Sequence, residues 1–132
     1  MMRRIIIVLF GAALLHLVAC EEDAHHYFDY FAYSYIDTVL TADTIQNNDL
    51  ARIVHVYPEG SNHFERIESR EHGDTLELAA LYHFYFKGIP NAHGTGLDTT
   101  SYHVLFSSSG AHCLSYYRSD KMRIIQPIYV EE

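Results

Sequence analysis

Histidine is the residue type in this sequence that most strongly suggests chemistry, since ten histidines occur in 132 residues. Imidazole binds zinc, copper and nickel when two or three ligands converge on one ion. The sequence contains neither an H-E-x-x-H nor a C-x-x-C motif. The best candidate trio is His83, His93 and His103, which a strand, a loop and the next strand could bring together. Solvated or hydrogen-bonded histidines remain the default expectation, and we predict no bound cofactor.

Residues for other kinds of catalysis lack a recognisable arrangement. No G-x-S-x-G elbow is present, and residues 107–110 are typical of a hairpin turn. Residues 94–96 (Gly-Thr-Gly) lack the following helix that a phosphate cradle needs. The sequence does not exclude a carboxylate pair, although solvated charge is the ordinary explanation for the candidates Glu65, Glu68, Glu71 and Glu77. We therefore expect no enzyme, with a small hydrolase as the second alternative function.

The amino-terminal segment has the order of a secretory signal. Arg3 and Arg4 form a cationic start, and residues 5–15 are apolar without a charge. The apolar segment is shorter than the roughly 20 residues that a membrane-spanning helix needs. A cleaved signal peptide over residues 1–19 is therefore favoured over a permanent transmembrane anchor.

The end of this segment, Leu17-Val18-Ala19-Cys20, resembles the lipobox of bacterial lipoproteins. The resemblance implies a diacylglyceryl thioether on Cys20 and an acylated amino group, with palmitate-type chains as the membrane anchor. Two or more acyl chains make such an anchor effectively permanent. The expected location is the cell envelope, at the outer membrane, with the periplasmic and the outer side both open. Residues 20–26 then form a tether, whose Glu21-Glu22-Asp23 resembles the acidic export signal of some surface lipoproteins.

Charge and cysteine content limit the partners of the mature chain. Removing residues 1–19 leaves seven Lys and Arg against 17 Asp and Glu, a formal charge of −10 with neutral histidines. Such a surface repels phosphate backbones, so nucleic acid is not an expected partner. With Cys20 carrying lipid, Cys113 is the remaining cysteine and cannot form an intrachain disulfide. We expect Cys113 to be a small buried core residue.

Short segments rich in strand-forming residues follow one another through residues 27–132. The clearest is 75–86, where Leu76, Leu78, Ala80, Tyr82, Phe84 and Phe86 alternate with more polar residues and should face the core. A helix through 76–82 is the alternative there. Further strands are predicted over residues 26–36, 38–45, 50–57, 64–71, 101–107, 112–118 and 123–130. The polar segment 64–71 is predicted at a sheet edge, and Pro127 suggests an edge or a bulge.

This spacing predicts one all-β domain, an antiparallel β-sandwich of about seven strands, with a small antiparallel barrel as the alternative. The layout resembles the small immunoglobulin-like domains of bacterial surface lipoproteins, a resemblance based on strand spacing. Residues 87–100 are predicted to form a long loop, a feature that is often functional. The candidate binding residues at this loop are Tyr85, Lys87, Asn91, His93 and Gly94.

The sequence thus predicts a membrane-anchored envelope lipoprotein that binds or supports a partner without catalysis. The expected partner is a surface protein or a glycan. A periplasmic metal-binding lipoprotein that uses the histidines is the first alternative.

Overall fold

The computed structural model describes residues 27–59, 63–87 and 95–132. These residues form nine strands and contain no helix. The strands are β1 (Tyr27–Ser34), β2 (Ile36–Leu40), β3 (Thr44–Gln46), β4 (Leu50–Tyr57), β5 (His63–His72), β6 (Thr75–Lys87), β7 (Gly96–His103), β8 (Gly110–Ser119) and β9 (Met122–Glu131).

Two sheets pack against each other as a β-sandwich. The larger sheet has six strands in the order β1-β6-β8-β9-β3, with β5 also paired to β6, and the smaller sheet has the order β2-β4-β7. The described strands form no closed barrel, so the sandwich prediction is confirmed and the barrel alternative is not. Two pairs, β3 with β9 and β6 with β8, run parallel, so the larger sheet is mixed and not purely antiparallel.

Strand β6 is the centre of the larger sheet because three strands pair with it. β5 lies along residues 75–83 of β6, β1 along 80–87, and β8 along 75–77. A strand has only two edges, and both β1 and β8 overlap the stretch paired with β5. Therefore β1 and β8 share the opposite edge of β6, and Leu78 and Ala79 fall between them.

The inner face of β6 supplies much of the core, as its alternation predicted. Leu76, Leu78, Ala80, Tyr82 and Phe84 are all buried, whereas the side chain of Phe86 lies outside the described set. The helix alternative for 76–82 is wrong. Buried residues from the other strands and their connections complete the core: Ile36, Val39, Ile45, Ala51, Ile53, Val104, Phe106, Leu114, Tyr116, Ile128 and Val130.

Several predicted boundaries are wrong. The predicted loop 87–100 ends early, because Gly96 to Thr100 already belong to β7 and pair with β4 from Tyr57 to Ile53. Backbone pairing with β4 outweighs the turn character of Gly96 and Asp98 in this stretch. The predicted strand 38–45 is divided into β2 and β3, which join different sheets. This division contributes to a total of nine strands where about seven were expected, and the additional strand β3 has only three residues.

The edge predictions are confirmed by the pairing. β5 pairs only with β6 among the described strands. Pro127 lies opposite Cys113, whose N–H donates to Asp74 O on the side away from β9 at 2.8 Å. The nitrogen of Pro127 therefore points away from β8. On that other edge of β9, β3 pairs only with residues 129–131. The missing N–H of Pro127 therefore costs no hydrogen bond between strands. Cys113 is half-buried and unpaired, not fully buried as predicted.

Truncation of the core should be far more costly than truncation of an exposed leucine. Leu114 is 0% exposed and Leu97 is 64% exposed. We expect Leu114→Ala to lower the free energy of unfolding by about 2–5 kcal/mol, because it removes buried methyl groups and leaves a cavity. Leu97→Ala should change it by less than about 0.5 kcal/mol. Urea unfolding of both variants measures this, and equal losses would contradict the packing described.

Candidate functional site

An open cleft of about 820 Å³ lies where β1 ends and the chain passes into β2. Its volume is within the range of roughly 300–1,000 Å³ that is typical of ligand sites. Three tyrosines, Tyr33, Tyr35 and Tyr117, line it and expose 64%, 39% and 45% of their surface. The other lining residues are Ser34, Val56, Pro58, Glu59, Glu68, Ser69, Arg70, Glu77, Leu78, Ala79 and Thr95.

The cleft forms where the larger sheet divides. Leu78 and Ala79, which lie between the ends of the β1 and β8 pairings, are both lining residues. Two hydrogen bonds connect the end of β1 with β4. Ser34 Oγ donates to Val56 O at 2.6 Å, and Val56 N donates at 2.9 Å to O of Tyr35, which lies between β1 and β2. The cleft lining therefore includes residues of both sheets, and Ser34 links them.

One carboxylate of the cleft is firmly held by its neighbours. The Tyr33 hydroxyl donates to Glu68, and Arg66 Nη2 donates to the other oxygen of Glu68 at 2.6 Å. The bond from Tyr33, and then that from Arg66, lowers the pKa of Glu68. The same hydrogen bond raises the pKa of Tyr33, because the neutral phenol is the donor. Glu68 is therefore an ionised acceptor at neutral pH and a poor proton donor.

A second cluster lies on the outer face of the larger sheet, near the amino-terminal end of β1. His63, Glu65 and His83 each place one ligand atom within 4.8 Å of the others. His63 Nε2 is 2.5 Å from Glu65 Oε1, and His83 Nδ1 is 3.7 Å from the same oxygen. One carboxylate oxygen thus lies beside two imidazoles.

The register of β5 explains why these side chains meet. His63 pairs with His83 and Phe64 with Tyr82, but Leu81 pairs with Arg66, so Glu65 is the extra residue of a β-bulge. Bulges redirect side chains and are common beside functional sites. Here the bulge places the Glu65 carboxylate beside the two histidines.

Strand β1 orients the ring of His83 from its other side. His83 Nε2 is 2.8 Å from Asp29 Oδ1, and the Phe31 ring stacks on the imidazole with centroids 4.6 Å apart. The His83 side chain is only 20% exposed. Because Asp29 engages Nε2, the Nδ1 atom of His83 faces Glu65.

His83 and His103, two members of the predicted metal trio, lie in different sheets. His103 lies on β7 in the smaller sheet, where its Nδ1 is 2.9 Å from Asn48 O, whereas His83 lies in the larger sheet. The prediction assumed that strands consecutive in the sequence are neighbours, but β7 pairs with β4 and not with β6. His93 lies outside the described residues.

Most of the predicted binding loop lies outside the described residues. Asn91 and Gly94 lie outside the described residues, as does Cys20, and Lys87 is described only as the last residue of β6. Tyr85 is 43% exposed on β6, with its ring centroid 6.1 Å from that of His83.

Sequence reasoning missed the partners that His83 does have, and it missed the cleft. The pattern His63-x-Glu65 was a usable signal, since alternate residues of a strand share a face. Tyr33 and Tyr35 are also alternate residues and so could be expected on one face. Tyr117 is far from them in the sequence and reaches the cleft only because of the order of the strands in the sheet.

A buried polar pair joins the two sheets below the surface. The hydroxyl of Tyr82 lies 2.5 Å from His55 Nδ1, and both residues are 0% exposed. Among the described residues, His55 Nε2 is the buried side-chain atom without a hydrogen-bond partner. Burial lowers the pKa of His55 and raises that of Tyr82, because it disfavours the charged form of each group. The pair is therefore neutral at neutral pH, and Tyr82 also belongs to the hydrophobic core.

Comparison with known proteins identifies no relative. No protein family, no curated protein and no solved structure matches this chain. Within the described residues, no helix is long and apolar enough to cross a membrane.

The His55–Tyr82 pair predicts acid sensitivity. Since the folded-state pKa of His55 is lowered, its contribution to stability is complete above about pH 6.5, the ordinary histidine value, and is lost as the pH falls below it. We expect the free energy of unfolding to fall between pH 7 and pH 5, by at most about 1.4 kcal/mol per pH unit for this one proton. Urea unfolding across this range measures the slope.

A double variant isolates the contribution of His55. Replacing both partners, in His55→Leu with Tyr82→Phe, removes the titrating group without leaving a buried hydroxyl unpaired, and the slope should become smaller. His72→Gln, which changes an exposed histidine, should keep the wild-type slope. An unchanged slope in the double variant would assign the acid sensitivity to other groups.

Proposed function

We propose that this chain is a lipid-anchored envelope protein whose β-sandwich binds a partner through the tyrosine-lined cleft, without catalysis. The single observation that carries the proposal is the open cleft of about 820 Å³ with three exposed tyrosines. Tyrosine offers a large, rigid contact area that loses little conformational entropy on binding. The lipid anchor is supported by the Leu17-Val18-Ala19-Cys20 sequence.

The position of the cleft suits a tethered binding domain. β1 begins at Tyr27, seven positions after Cys20, so the tether spans at most about 25 Å. The cleft lies at the other end of β1, about 20 Å further along the strand. A partner could therefore reach it without competing with the anchor.

The charge of the cleft limits the chemistry of the partner. The lining contains the carboxylates of Glu59, Glu68 and Glu77 and the guanidinium of Arg70, and Glu68 is also paired with Arg66. The mature chain is also acidic, so an anionic partner is disfavoured. Together with the apolar side chains of Val56 and Leu78, this composition favours a neutral or basic segment of an envelope protein. Tyrosine and arginine are both enriched at protein interfaces.

Catalysis is not part of the proposal. Glu68 accepts hydrogen bonds from Tyr33 and Arg66, which keep it ionised and make it unsuited to act as a general acid. The hydrolase alternative gains no support from the cleft.

Site-specific photo-crosslinking in living cells tests the cleft. A benzoylphenylalanine at Tyr35 should crosslink to one envelope protein, whereas the same group at Tyr129, which is 52% exposed on β9, should not. Arg70→Glu, which deepens the negative charge, should change the yield at Tyr35 but leave the anchor intact. Adducts only to carbohydrate would replace the protein partner with a glycan, and equal crosslinking at both positions would contradict a specific cleft.

Metabolic labelling tests the anchor separately. We expect radiolabelled palmitate on the wild-type chain and on Cys113→Ala, and none on Cys20→Ala, because only Cys20 follows a lipobox. Cys20→Ala should also move from the membrane fraction to the soluble fraction. Label retained on Cys20→Ala would exclude the proposed lipidation.

A further inference from the structure

We propose that His63, Glu65 and His83 bind a zinc ion, with Asp29 holding the imidazole of His83 in the orientation that the metal needs. Two imidazoles and a carboxylate are a common zinc ligand set, with a water in the fourth position. This inference is independent of the cleft and of the lipid anchor.

The spacing of the three ligand atoms fits one small ion. Zinc–ligand bonds of about 2.0–2.2 Å in tetrahedral geometry place ligand atoms roughly 3.3 Å apart. The two distances to Glu65 Oε1, 2.5 Å from His63 and 3.7 Å from His83, lie on either side of this value. Rotation of the 58% exposed His63 side chain is enough to adjust its distance.

The carboxylate of Asp29 is placed to hydrogen-bond and orient a metal-binding histidine. Metal-bound histidines usually donate their other ring N–H to a carboxylate, which fixes the tautomer and the ring orientation. Asp29 Oδ1, 2.8 Å from His83 Nε2, is in that position. This hydrogen bond leaves Nδ1 of His83 free to face the metal. Stacking on the Phe31 ring limits rotation of the imidazole.

The electrostatics of the cluster favour a divalent cation. With neutral imidazoles, Glu65 and Asp29 give the cluster a formal charge of −2. Arg66, the next residue after Glu65, directs its guanidinium to Glu68 and not into the cluster. A zinc ion would therefore neutralise both carboxylates.

The bulge is a further observation that singles out this place. The register shift between Phe64 and Arg66 makes Glu65 an extra residue, and its carboxylate lies beside both histidines. An extra residue leaves the ladder locally unpaired, which is a local cost of placing this side chain here.

Calorimetric titration of the mature lipidated chain in detergent with zinc chloride tests the proposal. We expect one site with a Kd of micromolar or below. His63→Ala and Glu65→Gln should each weaken it by at least about tenfold, because each removes a ligand. Asp29→Asn should weaken it by about 10- to 100-fold through the orientation of His83. His72→Ala, at the other end of β5, is the matched control and should bind as wild type.

A second readout separates loss of the site from loss of the fold. Without zinc, the melting temperatures of His63→Ala and Asp29→Asn should lie close to that of the wild type, since the side chains of His63 and Asp29 are 58% and 49% exposed. Zinc should raise the melting temperature of the wild type and of His72→Ala, but not of His63→Ala. Wild-type binding weaker than micromolar, or binding unchanged in both His63→Ala and Glu65→Gln, would overturn the assignment.

Discussion

The alternation of β6 between a buried inner face and an outer face that is largely half-buried or exposed is the constraint on which the rest of this structure depends. Its inner side chains, including Leu78, Ala80 and Tyr82, form the middle of the core. Its outer side chains include Glu77 and Ala79 in the cleft and His83 in the histidine cluster. Because successive side chains of a strand point to opposite faces, a shift of one residue would exchange these roles.

The neighbours of β6 determine which outer side chains meet. β5 and β1 flank His83 on opposite edges, and so they bring His63, Glu65 and Asp29 to one imidazole. Where β1 gives way to β8, the sheet divides and the cleft forms. The two surfaces thus lie at different ends of the same strands, which permits a metal site and a partner site that do not compete.

The sequence predicted the elements well and their assembly poorly. Periodicity identified the core face of β6, and polarity identified β5 as an edge, because both depend on local side-chain order. Local order does not determine which strands become neighbours. The sequence therefore predicts His103 beside His83, although β7 belongs to the other sheet, and the spacing His63-x-Glu65 does not indicate that His63 pairs with His83. Tyr117 reaches the cleft through the parallel pairing of β8, which sequence spacing does not indicate.

Amide hydrogen exchange tests the central role of β6 most directly. Strands paired on both edges and covered by the core open only with global unfolding, whereas edge strands exchange through local opening. We predict the slowest exchange for amides of residues 76–77 and 80–82, where β6 is paired on both edges, and faster exchange for β7, which pairs only with β4 in the described sheet. Exchange in β6 as fast as in β7 would contradict the arrangement on which both proposed sites depend.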